Sequence, residues 1–113
     1  MTEVVGSDEF TEWFDSLDDS DTDAVARVVD MLEMQGPTLP FPYSSAIKGS
    51  KIALRELRIQ AGGDPLRVLY AFDPVRRAVL LLGGDKTGDK RFYERLIPLA
   101  EQIFAQYLKE IGR

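Results

Sequence analysis

The stretch from Leu54 to Tyr93 reads LRELRIQAGGDPLRVLYAFDPVRRAVLLLGGDKTGDKRFY and decides the fold. In Leu54–Gln60, Leu57 and Ile59 fall on one side with Arg55, while Glu56, Arg58 and Gln60 fall on the other. In Leu66–Asp73, Leu66, Val68, Tyr70 and Phe72 share a face, and Arg67, Leu69, Ala71 and Asp73 share the opposite one. Ala78–Leu82 is apolar throughout, as a strand covered on both faces would be. Gly62-Gly63-Asp64 and Asp73-Pro74 are turn signals, so these three strands are predicted to be sequential and antiparallel. Six cations, Arg55, Arg58, Arg67, Lys86, Lys90 and Arg91, sit among the apolar residues of this stretch.

Upstream, the pattern switches to a helical period. Phe10, Trp13, Phe14 and Leu17 stand at i, i+3, i+4 and i+7, with Ser7 or Asp8 as the cap. After the acidic turn at Asp18-Asp19-Ser20-Asp21, Val25, Val28, Val29 and Leu32 repeat the pattern as far as Met34, and Gly36-Pro37 ends it. Ser20 followed by Asp23 suggests a capping box for this second helix. Thr2–Val5 reads as a short first strand, and residues 36–50 as a connecting loop without regular structure.

Downstream, Gly83–Asp89 reads as a loop. Gly83 and Gly88 have the spacing of a phosphate-cradling loop, but Asp89 stands where that motif needs lysine, so the phosphate reading fails. A helix is predicted from Arg91 to about Lys109, with Pro98 kinking it or starting a second segment. Helices before and after a period-2 sheet make one α+β domain: an N-terminal helical hairpin on a small twisted antiparallel sheet, with a C-terminal helix.

Composition narrows the chemistry. The 113 residues include neither cysteine nor histidine, which excludes disulfide and thiolate chemistry and removes the usual base near neutral pH. No apolar run is long enough to span a bilayer, so no membrane partner is expected and a cytoplasmic location is the default. The net charge of −5 is unevenly distributed. Residues 1–35 hold 11 acidic side chains against Arg27 alone, whereas residues 36–113 hold 13 basic and 8 acidic ones. A solvated acidic helix pair and a polyanion site on the remainder are both consistent with this split.

Pro42-Tyr43, Lys48-Gly49, Leu54-Arg-Glu-Leu-Arg58 and Leu66-Arg-Val-Leu-Tyr70, followed by Gly84–Tyr93, resemble the RelE/ParE superfamily of bacterial toxins, in particular its HigB branch. The resemblance implies a compact RelE-like domain over residues 1–113. It also implies the toxin half of a type II toxin–antitoxin pair, cleaving mRNA on the ribosome without metal or other cofactor. The implied partners are a cognate antitoxin of the helix-turn-helix type, the ribosome and mRNA. By the same carry-over Arg67 stabilises the phosphorane, Lys86 and Arg58 support charge, and Tyr93 is a proton-transfer group. Arg55, Lys48, Lys90 and Arg91 complete a phosphate-binding set.

The chemistry of these residue types agrees with that assignment. An arginine fork binds two phosphoryl oxygens and stays protonated, and losing such a donor typically costs about 10²–10³ in rate. Lysine and tyrosine titrate near 10, so only about one in a thousand is in the base form at neutral pH, and neighbouring cations are expected to lower both values. For Arg67 a second reading stands beside the first, an ion pair with Asp73 or Glu56 on a solvated sheet face. For Glu56, a base role competes with a cross-strand ion pair. At the level of function, a ParE-type toxin acting on DNA gyrase and a decayed phage-derived interaction domain are the alternatives.

Overall fold

The computed structural model describes residues 1–113. In chain order it has β1 (Val4–Gly6), α1 (Asp8–Asp15), α2 (Asp19–Gln35), β2 (Ser44–Ala46), β3 (Arg55–Ala61), β4 (Asp64–Phe72), β5 (Ala78–Asp85) and α3 (Phe92–Glu110). The sheet order is β1-β5-β4-β3-β2, which puts β4 at the centre. β2 to β5 pair antiparallel, and β1 lies parallel to β5, so the α+β domain carries a mixed sheet.

The two faces of the sheet are covered by different helices. Leu57, Ile59, Leu66, Val68 and Tyr70 pack against Phe10, Val25, Val28 and Leu32 of α1 and α2. Leu69, Ala71, Val79 and Leu81 pack against Phe92, Leu96, Ala100 and Phe104 of α3. The alternation read from the sequence is therefore the division between two half-cores, with α1 and α2 forming the hairpin on one side.

Local chemistry sets the boundaries. Ser7 caps α1 by accepting from the Phe10 amide at 3.0 Å. Asp18, rather than Ser20, caps α2, its carboxylate accepting from the Asp21 amide at 2.8 Å. Asp18 wins because the chain is already helical at Asp19, leaving Ser20 inside the first turn. Gly62 and Gly63 have φ of 55° and 94°, the positive pair that a two-residue hairpin turn demands. α3 runs through Pro98 as a single element, with no second segment.

Two stretches expected to be loop belong to the sheet. Ser44–Ala46 pairs with Arg55–Leu57, and the Ser44 hydroxyl bonds the buried Tyr70 hydroxyl at 2.6 Å. Such a short polar strand has no alternation to announce it. At the other side, β5 continues through Gly83-Gly84-Asp85. These glycines admit aromatic rings: a Cβ on Gly83 would collide with the Trp13 indole, and one on Gly84 would stand 2.9 Å from Phe92. Gly83→Ala should therefore lower stability by about 1–3 kcal/mol in denaturant unfolding through overpacking against Trp13, and the double substitution Gly83→Ala/Trp13→Leu should recover part of that loss.

Candidate active site

The Gly62–Gly63 turn pairs Ala61 with Asp64, and from that register Arg58 falls directly opposite Arg67. Like charges across a strand pair repel. The carboxylate of Glu56, on the same strand face, relieves the repulsion: one oxygen is 3.6 Å from Arg67 Nε and the other 3.7 Å from Arg58 Nη1. On β4's other side Arg67 is paired with Gly84, whose missing side chain leaves that flank to Phe92.

Glu56 is 5% exposed and Arg67 6%, so the pair is held in a low-dielectric setting. Two hydroxyls complete the shell of Glu56. Tyr93, in the first turn of α3, donates to Oε1 at 2.6 Å, and Ser45 of β2 donates to Oε2 at 3.0 Å. Arg67 donates from Nη1 to the Leu66 carbonyl at 2.9 Å, while its buried Nε has no hydrogen-bond acceptor. Lys86 Nζ sits 5.0 Å from the centroid of the Tyr93 ring.

Arg67 and Tyr93, singled out from sequence, thus meet at Glu56, where Arg58 joins them, and Lys86 lies against the Tyr93 ring. The remaining cations do not. Arg55 points to the opposite face, donating to Ser44 Oγ at 3.1 and 3.2 Å. Lys48 is exposed next to the 50–52 segment, which Glu101 of α3 ties down through Ser50 and the Lys51 amide at 2.9 and 2.6 Å. Lys90 is exposed, and Arg91 flanks the start of α3 with its side chain 81% exposed, 3.9 Å from Glu94. Asp73 is no partner of Arg67: it accepts from Arg77 Nε and the Tyr107 hydroxyl, each at 2.7 Å.

The electrostatics of Tyr93 run against the sequence expectation. Burial, followed by the Glu56 carboxylate, raises its pKa above the usual tyrosine value and outweighs the lowering by Arg67. Tyr93 is therefore a neutral hydroxyl at physiological pH, donating to Glu56. In the sequence Glu56 reads mainly as a cross-strand ion-pair partner. Counting back from the two-residue turn would have shown that it shares one site with Arg58 and Arg67.

A cavity of about 410 Å³ opens next to this cluster, between α2 and the outer edge of β3, with Arg67 and Arg58 in its wall. No helix is long and apolar enough to cross a membrane.

A family model described as phage-derived protein Gp49-like (DUF891) matches residues 12–105. The chain belongs to this family, the HigB-type toxins within the RelE/ParE superfamily. It is 45% identical over 98 residues to the candidate toxin HigB3 of Mycobacterium tuberculosis, covering 85% of this chain and 84% of that protein. It is 34% identical over 101 residues to the candidate toxin HigB2 of the same organism, covering 87% of this chain but 50% of HigB2. The family match includes every residue of the Glu56 cluster.

The hydrogen bond from Tyr93 to Glu56 has a direct spectroscopic consequence. In ¹³C-tyrosine NMR titrations, Glu56→Gln should lower the Tyr93 pKa relative to the unsubstituted protein, because the anion that opposes phenolate formation is gone; an unchanged value would mean that the bond is not made in solution.

Proposed function

We propose that the protein is the toxin of a type II toxin–antitoxin pair and acts as a metal-independent, ribosome-dependent mRNA endoribonuclease that stops translation. It works in the cytoplasm, with mRNA in the ribosome as substrate and a cognate helix-turn-helix antitoxin as its inhibitor. Membership of the HigB-type family supports the toxin reading. The observation that carries the nuclease reading is the Arg67–Glu56–Tyr93 cluster with Lys86 against the tyrosine ring.

In this reading the 2′-hydroxyl attacks the adjacent phosphorus, forming the new P–O2′ bond as the P–O5′ bond breaks. Its proton passes to the Tyr93 oxygen as the Tyr93 proton moves to Glu56 Oε1, so the base is a carboxylate and no phenolate accumulates. Arg67, with Arg58 beside it, neutralises the charge that builds on the phosphoryl oxygens. Lys86 donates a proton to the departing O5′. Lys48, Arg55, Lys90 and Arg91 are assigned to outer contacts with the RNA or ribosome. Part of the positioning falls to the ribosome, which suits a site without histidine.

Inducible expression with mapping of transcript 5′ ends tests the assignment. The unsubstituted protein should generate new cuts within translated mRNA, and Arg67→Ala should reduce them by about 10²-fold or more. Growth arrest with intact mRNA and altered DNA supercoiling would instead assign the protein to gyrase.

A further inference from the structure

The cavity beside Arg67 carries the site around the edge of the sheet onto α2. β2 covers β3 only opposite Arg55–Leu57, with one further bond from the Arg58 amide to the Tyr43 carbonyl at 2.8 Å. Past that bond, Ile59 and Gln60 have no strand on their outer side. The cavity lies here, and its volume of about 410 Å³ falls in the range of about 300–1,000 Å³ usual for small-molecule sites.

Its wall has an unusual charge for so acidic a protein. Arg27 of α2, Arg58 of β3 and Arg67 of β4 all line it, and no carboxylate does. Arg27 is the one cation among the first 35 residues, which hold 11 acids, yet it takes part in none of the ion pairs of the molecule. Arg67 is almost fully buried in that wall, its Nε 3.6 Å from Glu56. Tyr43, 40% exposed, and Met31 supply an aromatic and an apolar surface, and the Phe41 ring, 68% exposed, lies against the Arg58 guanidinium at 5.1 Å.

We propose that this cavity is a nucleotide subsite for single-stranded RNA, in which Arg27 and Arg58 hold the phosphate next to the one at Arg67 and the base lies against Tyr43. Arg27 has no acid partner, and the one acid near Arg58 and Arg67, Glu56, lies outside the cavity lining, so the wall favours a polyanion, since the planar fork pairs with phosphoryl oxygens. The aromatic surface distinguishes a nucleotide from a simple oxyanion, because stacking on such rings is tolerant of base identity. This inference rests on the ribonuclease reading for its choice of RNA. It gives the single arginine of an otherwise anionic helix a partner.

The test is fluorescence anisotropy of a labelled 2′-O-methyl RNA hexamer, which lacks the attacking hydroxyl, titrated with the full chain over a range of salt. Arg27→Ala should weaken binding about fivefold or more and shrink the slope of log K against log salt by about 0.7, the share of one phosphate contact. Arg27→Lys should restore the slope, and Tyr43→Leu should weaken binding without changing it. Arg27 is exposed, so a melting curve like that of the unsubstituted protein is expected for its variants. Equal affinity and slope for Arg27→Ala, or no binding of the hexamer at all, would overturn the subsite. Parallel cleavage assays on programmed ribosomes separate the two ideas: Arg27-dependent binding without any cleavage keeps the subsite and removes the nuclease, whereas cleavage with Arg27-independent binding does the reverse.

Discussion

Two arginines face each other across the middle of the sheet, and the carboxylate of Glu56 makes that arrangement stable. Arg58 and Arg67 are paired in register, so without Glu56 a guanidinium that is 6% exposed would stand uncompensated beside a second one. Breaking a buried pair of this kind costs about 3–5 kcal/mol. Glu56 also gathers hydroxyls from two other elements, Ser45 of β2 and Tyr93 of α3. One carboxylate thereby joins the edge strand, the central hairpin and the C-terminal helix.

The far end of α3 is fastened by the same device. Tyr107 donates to Asp73, a carboxylate in the turn just past β4 that also accepts the amides of Val75 and Arg77. Tyr93 and Tyr107 are separated by nearly four helical turns, so the helix is pinned at both ends by a tyrosine hydroxyl on a buried acid. Both phenols are held above their ordinary pKa, Tyr107 at about 12, by burial and by the carboxylate that each meets. The two acids differ in their remaining partners. Asp73 is saturated by a turn of its own chain, whereas Glu56 is shared between arginines that also line a cavity.

Much of this was legible in the residues. Period-2 alternation separated the two half-cores correctly, and Gly62-Gly63 announced the turn that fixes the register of Arg58 and Arg67. Ser44–Ala46 was hidden because three polar residues carry no period, and their strand forms only by pairing with β3. Gly83-Gly84 looked like loop because the rings that need those glycines, Trp13 and Phe92, are remote in sequence or beyond the turn. For the site, the approach of Lys86 to Tyr93 was legible in their seven-residue spacing across a loop able to fold back, but the direction of the Tyr93 shift was not. It depends on burial and on a carboxylate 37 residues away, and neither is a local property.

The proposed chemistry turns on Glu56 and Tyr93 acting as one proton-accepting unit. The most direct test is a double-mutant cycle in single-turnover cleavage of mRNA on programmed ribosomes, using Glu56→Gln, Tyr93→Phe and both together. A relay predicts that each single substitution slows cleavage strongly and that the pair is little slower than the worse single. Rates that multiply in the double variant, or a Glu56→Gln protein that cleaves as fast as the unsubstituted one, would contradict it.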